Sequence, residues 1–309
     1  MLLFQYDFKI EFYGVLGGII NDQTPKVIIK TKYGAPVINL VISNEYSLIS
    51  SVQCKRAKLQ LFNMPLNFNE SLTIGDIVKI YYKKFASEGD LDYKFIMAGY
   101  LGAPVDFDFE SGDFICQYEI YLLSKDTFFN QELTVKNFKY KSLEESINLV
   151  FKDQAVIFIN HQDRSRLIVE SFYVSTLKEF IERLIERYVN LIFVDIGDST
   201  FKVDTKFIFI NFSAQEIKRD YKNLEDFALL FIPQKEVRVV GKSTVNFWNA
   251  TLIFTDKIKV GDGVQFINRC GKPVKALVQE TNAYLSNVGD CTLGLRLYDE
   301  SNVFEGKVI

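Results

Sequence analysis

The chain holds one histidine and one tryptophan in 309 residues. A single histidine excludes any metal centre that needs two imidazoles from one chain. The four cysteines, Cys54, Cys116, Cys270 and Cys291, include no C-x-x-C pair. Neither a zinc cluster nor a dithiol redox motif is therefore expected, and scattered thiols of this kind are expected to be buried rather than bridged. No window approaches the ~18 consecutive apolar residues of a membrane span. A dominant charge is also missing: 36 basic and 39 acidic residues are spread along the chain for a net charge of −3. That excludes the one-signed basic footprint of a sequence-specific nucleic-acid binder. No stretch is both highly charged and poor in apolar residues, which argues against disorder. Asp7, Lys9 and Glu11 interrupt the opening residues before an apolar run can build, so no signal peptide is expected there.

What the chain has in quantity is aromatic residues, 28 Phe and 16 Tyr, which favour strands. Hydrophobic residues make up 48% and charged residues 24%, an ordinary folded composition, and the length suits two or three domains. One short stretch occurs twice, as Leu72-Thr73-Ile74-Gly75-Asp76-Ile77-Val78-Lys79-Ile80 and as Ile258-Lys259-Val260-Gly261-Asp262-Gly263-Val264-Gln265-Phe266. Gly accepts positive φ and Asp bonds to nearby backbone, so Gly-Asp marks a tight turn. The alternation that follows predicts a half-buried strand after each turn. Two such copies suggest two β domains related by duplication, with the two turns at equivalent places.

Phe4, Tyr6, Phe8, Ile10 and Phe12 alternate with polar residues and predict a two-faced strand. Further strands are expected near 26–32, 37–42, 57–62, 93–100 and 113–123, with 83–92 as a hairpin loop. Short strands at regular spacing imply a barrel or sandwich over residues 1–130. The period then changes. Ser142-Leu143-Glu144-Glu145 and Thr176-Leu177-Lys178-Glu179 are capping boxes. Leu177, Phe180, Ile181, Leu184, Ile185, Tyr188 and Val189 recur at helical steps behind the second box. A hairpin about Gly197-Asp198 should follow. The expected fold class is mainly β with an α+β insert: two small β-barrel domains (1–130 and 233–309) flank a mixed α/β domain (131–232).

Candidate chemistry is sparse. Gly241-Lys242-Ser243-Thr244 suggests a phosphate loop, but Glu236 stands where that motif needs Gly, and Val245-Asn246-Phe247-Trp248 favours a strand over the required helix. Asp106, Asp108 and Glu110 alternate with Phe107 and Phe109, which places three carboxylates on one strand face. A calcium loop needs Gly at 111 and Glu at 117, where Ser111 and Gln117 stand. A glycosidase pair needs two carboxylates facing across a cleft, and a solvated face that protects a sheet edge needs no more than the row itself. His161 lies in the polar stretch Asn160-His161-Gln162-Asp163-Arg164. Triads assemble in space, so spacing leaves Ser-His-Asp or Cys-His chemistry open, yet no nucleophile carries a G-x-S-x-G flank. No catalytic, cofactor-binding or metal-binding residue is assigned.

Taken as an ordered series, the segments resemble the baseplate hub proteins of phage tails and related contractile injection systems. The series is Ala57-Lys58-Leu59-Gln60-Leu61-Phe62-Asn63-Met64-Pro65, the first Gly-Asp copy, Phe95-Ile96-Met97-Ala98-Gly99-Tyr100-Leu101, and Ile120-Tyr121-Leu122-Leu123-Ser124-Lys125-Asp126. The two capped helices, Leu230-Phe231-Ile232-Pro233, Val237-Arg238-Val239 and the second copy complete the order. The loop at 83–92 is longer and more charged than in that family, and the usual Leu-Asn-Pro before the second copy is missing near Trp248-Asn249-Ala250. The resemblance implies a non-enzymatic structural protein without cofactors. It would be a homotrimer that joins a tail tube protein to a spike or tip protein, made in the bacterial cytoplasm and assembled into a tail or phage-like particle. A competing reading is a carbohydrate-binding or glycan-hydrolysing β protein using Asp106 and Asp108.

Overall fold

The structure, a computed structural model, describes residues 6–16, 19–20, 24–32, 35–46, 52–84, 93–110, 112–121, 129–151, 155–159, 167–187, 191–197, 204–210, 220–240 and 243–302. The alternation at the start of the chain produces β1 (Tyr6–Tyr13). Phe8, Ile10 and Phe12 are fully buried, while Lys9 and Glu11 pair at 3.0 Å on the other face. A two-stranded ribbon, β2 (Val15–Leu16) with β3 (Ile19–Ile20), follows, and β4 (Val27–Lys30) returns to pair with β1. Next come β5 (Ile38–Tyr46), β6 (Val52–Phe62), β7 (Ile77–Lys84), β8 (Lys94–Glu110) and β9 (Asp113–Tyr121). Their order in the sheet is β5-β6-β9-β8-β7, with β1 and β4 beyond β7.

The insert has both predicted helices, α1 (Leu143–Val150) and α2 (Leu177–Arg187). Each starts where its capping box places it. Ser142 Oγ accepts from the Glu145 N–H at 3.0 Å. At α2 the box is reciprocal: Thr176 Oγ1 accepts from the Glu179 N–H at 3.3 Å, and Glu179 Oε2 accepts from the N–H groups of Ser175 and Thr176 at 2.6 and 3.4 Å. These bonds satisfy donors that have no partner inside the helix. Leu177, Phe180, Ile181 and Leu184 are buried, as their helical spacing predicts. Three strands complete the insert: β10 (Ala155–Ile159), β11 (Leu191–Gly197) and β12 (Asp204–Ile210). The expected hairpin is β11 with β12, and β10 pairs parallel to β12. The insert core centres on Phe138, Phe172 and Phe180, whose ring centroids lie 4.7–5.7 Å apart. It reaches the β region through Val52, Cys54 and Ala98, and β11 pairs parallel to β6 at Ile192–Val52.

The last region contains β13 (Lys222–Asn223), β14 (Gln234–Val240), β15 (Ser243–Ile253), β16 (Gly263–Ile267), β17 (Pro273–Ser286) and β18 (Thr292–Asp299). Its order is β14-β15-β18-β17, with β16 on β17 and β13 on β16. The whole is mainly β with an α+β insert, as expected. Among the described residues no strand pair closes either β region on itself. The far half of β17 pairs instead with β5, from Ala283–Ile42 to Ser286–Asn39, and joins both regions into one open 16-stranded sheet. One hydrophobic cluster accordingly runs through both, from Phe8, Leu59 and Ile80 to Trp248, Phe266 and Leu297.

Candidate assembly surface

The two Gly-Asp turns match atom for atom. In the first, Gly75 has φ 91°, its N–H donates to Leu101 O at 2.7 Å, and the Leu101 N–H donates to Asp76 O at 2.8 Å. Asp76 Oδ2 accepts from the Thr73 N–H at 2.7 Å and meets Lys26 Nζ at 2.5 Å. In the second, Gly261 has φ 89°, its N–H donates to Val278 O at 2.8 Å, and the Val278 N–H donates to Asp262 O at 2.9 Å. Asp262 Oδ2 accepts from the Lys259 N–H at 2.7 Å and meets Lys222 Nζ at 2.6 Å. Glycine takes the left-handed conformation without a Cβ penalty, and the aspartate locks the turn by bonding to the backbone three residues back. The two lysines come from places far from the turns in sequence, so no local signal announces them.

The match extends through the strands behind each turn. Val78 pairs with Gly99 as Val264 pairs with Ala276, and Leu101 pairs with Ile120 as Val278 pairs with Leu297. Both long strands shift register against the last strand of their repeat, β17 after Val278 and β8 after Leu101 and again after Pro104. Both regions share one connectivity: a hairpin, a turn-fed strand, then two strands that insert between them. Laid side by side, β5-β6-β9-β8-β7 corresponds to β14-β15-β18-β17-β16. Such bulges are conserved twist-and-bend devices of a sheet, and here they mark where each long strand leaves one neighbour.

The repeats differ at their margins. In the N-terminal repeat β5 is covered by β17, and β7 by β1. In the C-terminal repeat β14 ends the sheet. Its surroundings are apolar and open: Phe231 is 69% and Val239 76% exposed, and Leu230, Ile232 and Val237 are exposed as well. Leu230, Phe231 and Ile232 thus lie at the surface, and the proline that ends the run, Pro233, is buried. Glu236 sits on this strand in an ion pair with Arg238 at 2.5 Å and near Arg296 at 3.6 Å. Its hydrogen bond from Arg238, with help from Asn249, holds the carboxyl below its usual range.

Among the described residues, those singled out for chemistry form no cluster. Asp106, Asp108 and Glu110 all lie on β8, where residues two apart on one strand cannot face each other across a cleft; their side chains are outside the described residues. His161, Gly241 and Lys242 also fall outside the described residues, while Ser243 and Thr244 open a strand rather than a helix. No cysteine is in a disulfide; Cys54, Cys116 and Cys291 are buried and Cys270 is exposed. Burial pushes the Cys291 thiol up to about 11, which keeps it un-ionised at neutral pH. Among the described residues no group of three or more His, Cys, Asp or Glu could hold a metal ion, and no helix is long and apolar enough to cross a membrane. A hollow of about 460 Å³ beside α1 is lined by Ser142, Glu144, Glu145, Asn148 and Leu149. It pairs no nucleophile with a base.

A family profile described as "Protein of unknown function (DUF693)" matches residues 1–302. No curated protein matches the chain. Solved structures do match, across nearly all of it. The prophage MuSo2 43 kDa tail protein from Shewanella oneidensis aligns over 94% of this chain and 96% of its own, at TM-score 0.53 and 11% identity. The E. coli c3393 protein is described as a type VI secretion component structurally similar to the T4 tail proteins gp27 and gp5. It aligns over 96% and 79%, at TM-score 0.51 and 10% identity. A chain in the half-lidded Francisella PdpA-VgrG complex aligns over 99% of this chain and 60% of that one, at TM-score 0.52 and 10% identity. At such identities the likeness is one of fold, and the fold is that of phage tail and baseplate hub-like proteins.

Proposed function

The chain belongs to the DUF693 family, and from that premise we propose that it is a structural hub of a phage tail or phage-like baseplate. It forms a homotrimeric ring that joins the tail tube to the central spike or tip. Synthesis is in the bacterial cytoplasm and the product is part of the assembled particle. The observation that carries this reading is the internal repeat. A trimer whose chains each hold two equivalent β regions presents six similar surfaces to a six-fold tube, and the fold is shared with tail proteins. The role needs no catalysis and no cofactor. The insert, tied to the β sheet through Val52, Cys54 and Ala98, hangs to the spike side or the periphery of such a ring.

Deleting the gene from the element that encodes it tests the proposal. Lysates of the induced deletion strain should contain no tubes attached to a tip under the electron microscope, and the wild-type gene in trans should restore them. Normal tails in the deletion strain would overturn it. Light scattering of the purified chain, repeated with tube and spike proteins added, should report three copies per ring.

A further inference from the structure

Inside one chain, the seam between the repeats is the pairing of β17, past its bulge, with β5. Each partner in that seam has a counterpart in the other repeat. The counterpart of β17 past Val278 is β8 past Leu101, and the counterpart of β5 is β14. Neither counterpart is paired on the corresponding side among the described residues. β7 leaves β8 at Tyr100, and β14 terminates the sheet. We propose that β14 of one chain adds to the far half of β8 of a second copy of this chain, antiparallel, in the register that β5 and β17 use internally. The proposal rests on the ring reading above and names the contact that builds the ring.

The register follows from the pairings already described. Leu293 meets Ala283 as Cys116 meets Phe107, so Phe107 corresponds to Ala283. Trp248 meets Lys235 as Ala57 meets Ile42, so Lys235 corresponds to Ile42. Because Ala283 pairs with Ile42, Phe107 should pair with Lys235 of the second copy. Asp108 then faces Gln234, Phe109 faces Pro233 and Glu110 faces Ile232. Proline offers no N–H, so this seam has one bond fewer than the internal one, a position proline tolerates at an edge. The contact is heterologous, with an acidic strand on one copy and a different edge on the other. Such contacts propagate until they close a ring.

One further observation agrees. The exposed Val237, Val239, Phe231 and Ile232 lie along the same edge and would be covered. Strand addition of this kind draws its affinity from main-chain bonds and its specificity from the flanking side chains.

Engineered disulfides test the register. The Asn287 N–H donates to Ile38 O, so by the alternation of antiparallel pairs Tyr284–Val41 is a non-hydrogen-bonded pair, and Asp108–Gln234 corresponds to it. Such pairs sit with Cα atoms about 4.5 Å apart, within disulfide range. In a Cys270→Ser background, chains carrying Asp108→Cys are mixed with chains carrying Gln234→Cys and oxidised. A covalent heterodimer should form from the mixture, and none when Arg238→Cys replaces Gln234→Cys. A chain with both Asp108→Cys and Gln234→Cys should close into covalent trimers. Because these variants could misfold, amide exchange is also followed in the unmodified chain, where the segment 232–235 should slow as protein concentration rises. Scattering at the trimer mass without the Asp108–Gln234 cross-link or the slowing would overturn the edge assignment and leave the ring standing. A monomer at every concentration, with neither signal, would overturn both. Equal cross-linking by the Arg238→Cys control would overturn the register.

Discussion

The two repeats share a backbone and differ in what surrounds it. Their turns have nearly the same φ, the same four polar contacts and a register shift downstream. Yet Asp76 is 3% exposed while the Asp262 side chain is 27% exposed. At the turn tips the order reverses: Ile74 is 68% exposed and Val260 only 5%. The N-terminal repeat is wrapped by β1, β4 and β17, whereas among the described residues the C-terminal one has the two-residue β13 on one side and no strand on the other. Turn geometry therefore comes from local bonding, and burial comes from which neighbours the chain supplies.

The largest expected effect separates the two aspartates. Asp76→Ala strips a charged acceptor from the buried turn and leaves Lys26 without its partner. It should cost about 1.5–3 kcal/mol, the range for hydrogen bonds to charged groups. Asp262→Ala removes a carboxylate that is itself part-exposed and paired with a part-exposed lysine, and should cost no more than ~1 kcal/mol. Chemical denaturation of both variants checks this, and equal losses would mean that burial does not set the difference. Gly99 offers a sharper contrast of almost the same size. Its counterpart is Ala276, but a Cβ on Gly99 would lie 2.7 Å from both Ile120 Cγ2 and Tyr121 O. Gly99→Ala should therefore destabilise by about 1–3 kcal/mol, as overpacking does, while Ala276→Gly should cost mainly the roughly 0.5–1 kcal/mol of added chain entropy.

The turn glycines should behave alike. A Cβ on Gly75 meets nothing within 4 Å, so Gly75→Ala is penalised by backbone conformation alone. With φ near 90° at both sites, Gly75→Ala and Gly261→Ala should each cost about 1–2 kcal/mol. Thermal melts that separate the pair by more than that range would break the equivalence. The smallest effect belongs to β1, which pairs with strands of the N-terminal region. Burial raises the pKa of Asp7, against a hydrogen bond from Thr31 Oγ1 at 3.1 Å that lowers it. A raised folded value means the contribution to stability is complete below the unfolded pKa near ~3.9 and is lost as pH rises through the folded value. Asp7→Asn should gain melting temperature relative to wild type between about pH 4 and 7, and a gap that narrows over that range would contradict the sign.

Much of this architecture is legible in the residues. Phe8, Ile10 and Phe12 declare a buried face by alternation, and the two capping boxes place both helix starts, because these patterns depend only on neighbours a few residues apart. The repeated Gly-Asp was visible for the same reason. The ion pairs to Lys26 and Lys222, the seam between β17 and β5, and the exposure of Phe231 were not. Each depends on segments that meet only after folding, and an apolar run looks the same in sequence whether it is covered or bare. The acidic run at Asp106, Asp108 and Glu110 showed its spacing but not its place beside an open strand edge.

By itself, then, the sequence determined the local elements: strand faces, helix caps, two equivalent turns, and the lack of a second histidine or a paired-cysteine motif. Tertiary structure alone decided that the two β regions form one continuous sheet over one shared core, and that β14 is an edge of that sheet among the described residues. The physical reason is range. Turns and caps are fixed by bonds closed within a few residues, whereas a sheet edge is defined by which strand, of all those in the chain, fails to arrive.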